Sequence, residues 1–453
     1  MAIDVVDALR ARFAEAGEAP ALAYRGEVKS FNWLSSEIEE ATTWLTENGI
    51  KQGQTVLLTS DYTPKTVAIL FGLIWLRTII VPLLPTTKNT LINVLPLVDA
   101  SYEVTVDASG EAVIHSWPGS VKQSDLIDEL RSIEVAGLIL FTSGSTGLPK
   151  GVVHNFSLLL EKFLTSRPAL VTINFLMFDH WGGLNTLLHG LSNKSHVVLP
   201  ENRRPDYICG LIEDYGVELL PATPTFLNIL LLSKIWLKRN FASLQIISYG
   251  AEPMPESTLK QLGIAFPEVE LRQTYGLIEL GVLRAKSRDD GSLWVKLGGK
   301  GFDIRVVDDE LQIKSPSAML GYLNAPSPFT EDGYFMTRDK VEVDGEYFRI
   351  LGRESDLINI GGDKVYPAEV ESFLLTLRNV KDVVVYGERH SLMGNIVCAD
   401  IVLVEFEPAA SARMRIKKLC QDKIDRFKIP VKIHFTEIEL TSGRMKKIRL
   451  KRD

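Results

Sequence analysis

The apolar positions of this 453-residue chain follow two different periods over its first 270 residues. A helical stripe in residues 32–48 stops at Gly49, whereas short continuous apolar runs elsewhere are typical of buried strands. The predicted strands are residues 55–59, 78–83, 137–141, 195–199, 218–221 and 244–249. Between several of them lie predicted helices at residues 66–76, 206–215, 224–232 and 256–262. This alternation predicts an α/β fold with largely parallel sheets.

The pattern changes after Gly281, where Asp-Gly turns separate short runs and predict β-hairpins. Beyond the turns lie helix patterns at residues 368–377 and 412–426 and strand patterns at residues 381–386, 399–404 and 432–435. These patterns together fill a unit of ordinary domain size. We therefore expect a large N-terminal domain of layered α/β sheets with a β-rich subdomain (residues 1–352) and a small C-terminal α+β domain (residues 353–453).

Composition and charge limit the classes of function. Hydrophobic residues make up 45% of the chain and charged residues 24%, as in ordinary soluble enzymes, and the net charge of −7 argues against general affinity for nucleic acid. The charge is uneven, because residues 411–453 contain fourteen Lys or Arg against five Asp or Glu. This basic C-terminus is either a solvated face or a surface that meets phosphates of ATP or of a pantetheine carrier.

Neither a membrane span nor a leader is predicted. The apolar stretch of residues 68–84 is interrupted by Arg77 and Pro82, so a helix followed by a strand explains it better. No basic segment precedes an apolar one at the N-terminus, so we expect a cytoplasmic location. The spacing of Cys209, Cys398 and Cys420 favours buried free thiols over a zinc site or disulfides.

The most informative motif is TSGSTGLPKG at residues 142–151, directly after a predicted strand. Glycine lets backbone N–H groups surround a ligand, hydroxyl side chains add donors, and Lys150 adds a compact positive charge. Such a concavity suits a polyphosphate, although the spacing of Lys150 and the presence of Pro149 differ from the Walker loop. The predicted phosphate-binding residues are Thr142, Ser143, Gly144, Ser145, Thr146, Gly147 and Lys150.

This motif resembles the signature loop of the adenylate-forming superfamily, which includes acyl-CoA synthetases, adenylation domains of peptide synthetases and luciferases. Further segments resemble that family's motifs in the same order: SYGAEP at 248–253, QTYGLIE at 273–279, YFMTRD at 334–339, GRESDLIN at 352–359 and GGDKVYPAEVE at 361–371. The resemblance implies nucleotide-binding roles for Gly250, Ala251, Glu252, Pro253, Thr274, Tyr275, Gly276, Asp339 and Arg353, and a pantetheine tunnel lined near Gly361 and Gly362.

Within that set the resemblance implies individual roles. Tyr275 would stack on adenine, Asp339 would accept hydrogen bonds from both ribose hydroxyls, and Arg353 would reach the ribose or a phosphate. Glu279 would hold Mg²⁺, which prefers carboxylate oxygen. Relatives also carry a C-terminal lysine that bridges the ATP α-phosphate and the substrate carboxylate. Here either Arg444, which follows the corresponding glycine, or Lys446 would take that catalytic role.

The acid is expected to meet the segment FDHWGGL at residues 178–184. The candidate substrate residues are Phe178, Asp179, His180 and Gly183. His180 either gates the pocket as a catalytic residue or is an ordinary core histidine, and Asp179 suits an amino group on the substrate. The Gly182-Gly183 pair suggests space for a substrate chain.

The reaction implied by the resemblance has two steps and needs ATP, Mg²⁺ and either CoA or phosphopantetheine on a carrier protein. A small carboxylic acid becomes an acyl adenylate with release of pyrophosphate, the C-terminal domain rotates about Ser355–Asp356, and a thiol takes the acyl group. Four positions depart from the family pattern: Ile278, Arg338, Ser355 and Arg444. Three alternatives stay open: transfer to an amine or another acceptor, binding of nucleotide or acyl ligand without turnover, and nucleic-acid binding through the basic C-terminus.

Overall fold

The computed structural model of the chain describes residues 4–117, 124–142, 148–289, 291–299, 301–390, 394–421, 423–438, 440 and 447. Helices within these residues are Val5–Ala16, Phe31–Glu47, Pro64–Trp75, Pro85–Lys88, Asp125–Ser132, Phe156–Glu161, Trp181–Ser192, Pro205–Tyr215, Pro224–Ser233, Glu256–Ala265, Pro367–Leu374 and Ala409–Gln421. None of these described helices is both long enough and apolar enough to cross a membrane.

Two largely parallel sheets form the framework of the N-terminal part. The first has the spatial order Glu270–Gln273, Ile246–Tyr249, Leu219–Ala222, Thr172–Ile173, Val197–Val198, Pro20–Tyr24 and Glu27–Ser30, with only the last pair antiparallel. The second has the order Gly321–Tyr322, Lys150–Asn155, Gly137–Thr142, Ile79–Leu83, Thr55–Thr59, Ala100–Val106 and Ala112–Ser116. Its central strands pair in parallel and its outer pairs are antiparallel.

A third sheet is antiparallel, and its buried residues belong to the same hydrophobic cluster as residues of the first two sheets. Its order is Tyr275–Leu277, Gly281–Ser287, Trp294–Gly298, Tyr347–Arg353, Phe335–Asp344, Glu310–Lys314 and Asp303–Val307. A tight turn at Asp344-Gly345, as the Asp-Gly pattern predicts, joins Phe335–Asp344 to Tyr347–Arg353. Residues 315–334 make a longer connection between Glu310–Lys314 and Phe335–Asp344. The β-rich subdomain therefore leads directly into the C-terminal part of the chain.

The C-terminal unit, residues 357–447, has its own hydrophobic core. A hairpin of Ile358–Ile360 and Asp363–Val365 and a sheet of Val380–His390, Gly394–Leu403 and Lys432–Phe435 pack with two helices. The fully buried members of this core range from Ile358 to Ile433, and none comes from the preceding sheets. Such a self-contained core is the property expected of a separate domain.

The predicted helix at residues 32–48 forms because its start is capped and one face is apolar. The Ser30 hydroxyl accepts a hydrogen bond from the Trp33 N–H, and the helix begins at Phe31. The next helix, Pro64–Trp75, is buried over its whole length from Thr66 onward, since it lies between packed layers. Full burial explains why this helix has no polar face and resembled a membrane span in sequence.

The structure confirms the α/β fold class and corrects several boundaries. The C-terminal helix spans Ala409–Gln421 rather than residues 412–426, because the Lys423 N–H bonds to the Cys420 carbonyl three residues back, the tighter pattern that closes a last helical turn. The helix Trp181–Ser192 was not predicted, because the Gly182-Gly183 pair was interpreted as space for a substrate chain. The cysteines at 209, 398 and 420 are buried and free, as predicted.

Candidate active site

A cleft of about 2500 Å³ lies where the carboxyl ends of the parallel strands, the antiparallel sheet and the C-terminal unit meet. Its lining includes these predicted site residues: Thr142, Lys150, His180, Gly250, Ala251, Glu252, Pro253, Thr274, Tyr275, Gly276, Glu279, Asp339 and Arg353. The described lining carries ten Lys or Arg against five Asp or Glu, although the chain as a whole has a net charge of −7. This excess of positive charge favours an anionic ligand.

Both ends of the predicted phosphate loop start from one place on the cleft wall. Thr142 ends its strand and pairs with Lys150 on the antiparallel neighbour. The Lys150 Nζ lies 5.1 Å from the centre of the Tyr322 ring, a cation–π contact that holds the lysine over the cleft. Ser143, Gly144, Ser145, Thr146 and Gly147 lie outside the described residues, so their phosphate-binding roles stay predictions.

Tyr322 also joins Lys150 to the candidate metal ligand. Its hydroxyl donates to the Glu279 Oε1 over 2.7 Å. Burial and the neighbouring Glu279 carboxylate raise the pKa of Tyr322, so the hydroxyl stays protonated and donates. Among the described residues no group of three or more His, Cys, Asp or Glu could hold a metal ion by itself. The metal-binding role of Glu279 stays a prediction; its single carboxylate would share Mg²⁺ with phosphates, as is typical of nucleotide sites.

The part of the cleft that is predicted to bind ribose contains a buried pair of polar side chains. The Tyr275 hydroxyl donates to the Asp339 Oδ2 at 2.6 Å, and the Arg353 Nε lies 3.6 Å from the Asp339 Oδ1. Asp339 is only 6% exposed, and this burial raises its pKa while Arg353 opposes the shift. Tyr275 and Arg353 together hold the Asp339 carboxylate in position.

The adenine segment is shaped by close contact between two strand ends. Gly250 follows Ile246–Tyr249, and a Cβ atom at Gly250 would lie 2.4 Å from the Thr274 Oγ1 and 2.7 Å from the Thr274 carbonyl oxygen. Only glycine fits there, since Thr274 is tied to the Tyr249 carbonyl through its N–H and its hydroxyl. Ala251 then adopts a left-handed φ of 68°, which turns the chain along the cleft wall.

Glu252 connects the cleft wall to the C-terminal unit. Its Oε2 accepts from the Thr225 hydroxyl at 2.7 Å, and its Oε1 accepts from the Lys447 backbone N–H at 2.8 Å. The Lys447 ammonium turns into the C-terminal unit, where it donates to the Val383 carbonyl at 2.7 Å and lies 3.4 Å from the Glu371 Oε2. The predicted catalytic cations Arg444 and Lys446 lie outside the described residues, so the choice between them stays open.

The predicted substrate segment divides between the cleft wall and the interior. His180 lines the cleft, and its Nδ1 accepts from the Gly182 N–H at 3.1 Å, which caps the helix Trp181–Ser192. Phe178 is fully buried against Tyr62, with ring centres 5.2 Å apart. Asp179 is also buried and accepts from the Thr87 hydroxyl at 2.9 Å. Phe178 and Asp179 therefore support the wall from behind.

The interpretation of Gly183 as space for a substrate is corrected by its surroundings. A Cβ atom there would lie 2.1 Å from the Met177 carbonyl oxygen and 2.7 Å from the Leu176 carbonyl oxygen. The glycine is needed because the first turn of the helix packs directly on the preceding backbone. Gly183 is buried behind the cleft wall, so its predicted contact with the substrate has no geometric support.

The candidate hinge and the candidate pantetheine segment occupy different places. Ser355 and Asp356 line the cleft within a short turn, and the Ser355 hydroxyl donates to the Asp356 Oδ1 at 3.1 Å. Gly361 and Gly362 form the exposed turn of a hairpin, with φ of 59° and 107°, and are not part of the described cleft lining. Positive φ explains both glycines without a ligand.

Tyr322 and Lys162 are two of the cleft residues that sequence reasoning missed. Tyr322 occurs in a segment without a motif, and only the pairing of Gly321–Tyr322 with Lys150–Asn155 brings it to Glu279. Lys162 has an ordinary sequence context as well, yet it lines the cleft beside Trp181. No local pattern marks these two positions, because their roles depend on contacts between distant segments.

The chain resembles known acid–CoA ligases over most of its length. It is 28% identical over 379 residues to an indoleacetate–CoA ligase from Aromatoleum aromaticum, which covers 77% of this chain and 70% of the relative. It is 27% identical over 481 aligned positions to a 2-succinylbenzoate–CoA ligase from Bacillus pumilus, covering 96% of this chain and 95% of the relative. At these identities the substrate of a relative does not transfer to this chain.

Solved structures show the same fold. An anthranilate CoA ligase in complex with anthranoyl-AMP matches with a TM-score of 0.82 at 19% identity, covering 98% of this chain and 95% of the other. A mutant amide bond synthetase from Marinactinospora thermotolerans matches with a TM-score of 0.80 at 19% identity, covering 98% and 97% of the two chains. The AMP-binding enzyme model matches residues 9–335 and the AMP-binding enzyme C-terminal domain model matches residues 369–444, so this chain belongs to the AMP-binding enzyme family.

Proposed function

We propose that this chain uses ATP to activate a small carboxylic acid as an acyl adenylate and then transfers the acyl group to the thiol of CoA. The observation that carries the proposal is the convergence of Lys150, Glu279, Tyr275, Asp339 and Arg353 on one positively charged cleft. A polyphosphate and a carboxylate need hydrogen-bond donors or cations at such a site, and the ribose hydroxyls need an acceptor such as Asp339. The family relationship to CoA ligases supports the same reaction.

In the first step a carboxylate oxygen of the acid attacks the α-phosphorus of ATP. The bond from that phosphorus to the bridging oxygen breaks, and pyrophosphate leaves with the electron pair. Lys150 supplies a compact positive charge beside the phosphates, and Asp339, held by Tyr275 and Arg353, accepts the ribose hydroxyls. When bound at Glu279, Mg²⁺ would neutralise charge on the phosphate oxygens.

The second step requires a thiol at the same carbonyl carbon. Its sulfur attacks that carbon, AMP leaves, and the thioester remains. We propose that residues 353–453 form a domain that moves about Ser355–Asp356 between the two steps. Two observations support this division: the separate core of the C-terminal unit and the position of the Ser355 turn on the cleft wall. Gly361 and Gly362 then belong to the moving part.

Pyrophosphate release tests the proposal directly. Purified protein is assayed with ATP, Mg²⁺ and a panel of aromatic, aliphatic and amino acids, each with and without CoA, and products are identified by mass spectrometry. We expect release with one class of acid, a thioester only with CoA, and loss of both with EDTA. Transfer to an added amine instead of CoA would replace the acceptor in the proposal.

A lack of pyrophosphate release with every acid in the panel would indicate a different class of function. If the folded protein binds ATP in calorimetry but releases no pyrophosphate with any acid, it is a nucleotide-binding relative without turnover. The departures at Ile278 and Arg338 give that outcome its physical basis. Because isoleucine has no hydroxyl, no side-chain hydroxyl meets the phosphate at this position. Ile278 is buried, and its carbonyl accepts from the His154 Nε2 at 2.7 Å.

A further inference from the structure

One part of the cleft lining brings together an unusual set of side chains. Its members are Lys162, Phe163, Trp181, Asn185 and His189, and we call the part of the cleft that they line the distal chamber. Asn185 and His189 lie four residues apart on the helix Trp181–Ser192, so one face of that helix forms the chamber wall. Trp181 begins the helix and packs against Gly281, two residues after the candidate metal ligand Glu279. The chamber therefore opens close to the reacting end of the cleft.

Lys162 projects into this chamber without a carboxylate partner among the described residues. Its ammonium donates to the Asn185 Oδ1 and lies 5.0 Å and 5.3 Å from the ring centres of Phe163 and Trp181. More than a third of its surface is accessible, and the side chain lines the cleft. Desolvation by the surrounding protein lowers the pKa of Lys162 to about 7.

His189 adds a neutral donor to the same wall. Its Nδ1 lies 3.4 Å from the Asn193 Nδ2, which can only donate, so the ring proton is on Nε2. Burial lowers the pKa of His189 to about 4, and the positive charges of Lys162, Arg167 and Arg272 contribute to the shift. The histidine is therefore neutral near pH 7. The described side chains of the chamber offer N–H donors and positive charge, with apolar ring surfaces between them.

We infer that the distal chamber binds a second anionic group of the substrate, at the end opposite the carboxylate that is activated. The inference rests on the proposed function, because it assigns the far end of the same acid. A desolvated cation without a counter-charge gains most from a ligand that brings one. The rings of Phe163 and Trp181 favour an apolar spacer. The predicted substrate class is a dicarboxylic acid whose two carboxylates are separated by an aliphatic or aromatic segment.

Matched acids and variants of Lys162 test this inference. The assay compares two acids with one carbon skeleton, with and without a carboxylate at the far end, and follows pyrophosphate release without CoA, so that CoA phosphates cannot contribute. The variants are Lys162→Met, which keeps the stem over Trp181, Lys162→Arg, which keeps the charge, and the surface control Lys260→Met, whose lysine pairs with Glu256 outside the cleft.

We expect the wild-type chain to prefer the diacid. Lys162→Met should lower kcat/KM for the diacid about 10- to 100-fold, the usual loss for a hydrogen bond between charged groups, with little change for the monoacid. Lys162→Arg should keep most of the preference, and Lys260→Met should keep all of it. A wild-type preference for the monoacid, or equal losses for both acids in Lys162→Met, would overturn the inference and leave the proposed function intact.

Equilibrium binding separates the two hypotheses if no pyrophosphate is released. Calorimetry with α,β-methylene-ATP present gives the affinities of both acids for wild type and Lys162→Met. Diacid binding that weakens about tenfold or more in the variant supports the distal chamber, even if the catalytic proposal has failed. Equal diacid affinity for the two proteins, or no diacid binding by wild type, rejects it.

Discussion

At the scale of single residues, substitution of Glu279 tests the proposed chemistry most directly. Replacing it with Gln keeps the shape and the contact with Tyr322 but removes the negative charge that suits Mg²⁺. We expect Glu279→Gln to lower kcat for pyrophosphate release about 100-fold or more, as for loss of a major electrostatic contact. Tyr322→Phe keeps the ring beneath Lys150 and should lose much less. A near-normal rate in Glu279→Gln, measured over a range of Mg²⁺ concentrations, would disprove the metal assignment.

Arg338 shows how a departure from the family pattern acts on the backbone. The resembling motif has glycine at this place, and the structure gives Arg338 a φ of 59°, a conformation that costs other residues about 1 kcal/mol. Arg338→Gly should raise the free energy of unfolding by about 0.5 to 1 kcal/mol, partly offset by the freer unfolded chain. Arg338→Ala keeps the strained φ and should not gain. Urea denaturation of wild type and the two variants measures both changes in the free energy of unfolding. Equal stabilities for the glycine and alanine variants would contradict the backbone strain at Arg338.

At the scale of elements, Gly183 tests how the helix Trp181–Ser192 is held. Alanine there would bring its Cβ to 2.1 Å from the Met177 carbonyl oxygen, so the helix must shift. We expect Gly183→Ala to cost about 1 to 3 kcal/mol in unfolding experiments, the usual range for overpacking. Gly263 is the matched control, because it also lies within a helix but has open space around it. Gly263→Ala should stabilise by about 0.5 to 1 kcal/mol. Equal effects at both positions would rule out close packing as the reason for Gly183.

The helix Trp181–Ser192 also shows which part of the fold could not be predicted from the sequence. Runs such as residues 55–59 and 244–249 are mostly apolar and short, so buried strands could be predicted from them, and the structure places strands at Thr55–Thr59 and Ile246–Tyr249. The helix after His180 begins with two glycines, which favour loops, and only its tertiary contacts make it stable. The motif residues could be assigned to the cleft because each motif is a continuous stretch of sequence. Tyr322 and Lys162, by contrast, reach the cleft through tertiary packing alone.

At the scale of the whole molecule, two bodies with separate cores share one cleft. The contacts between them include the Glu252 carboxylate with the Lys447 N–H and the Glu256 N–H with the Ser372 hydroxyl at 3.0 Å. These are polar contacts of the kind that can break and form again at little cost, as a moving domain requires. The ammonium of Lys447, by contrast, has its described contacts with Val383, Glu371 and Asp382 of the C-terminal unit, and 9% of its side chain is exposed.

Lys447 therefore allows the proposed domain division to be tested by unfolding. Lys447→Met removes the ammonium that lies within 4 Å of the buried Glu371 and Asp382 carboxylates. We expect this loss to lower the free energy of unfolding of the C-terminal unit by about 3 to 5 kcal/mol. Burial already raises the pKa of Asp382, and loss of Lys447 should raise it further. The folded variant then binds protons more readily than the unfolded chain, so its deficit should shrink as the pH falls from 7 towards 5. Calorimetry should show two transitions, with only one lowered in Lys447→Met and neither lowered in the surface control Lys432→Met. A single transition that moves as a whole would mean that the chain unfolds as one cooperative domain.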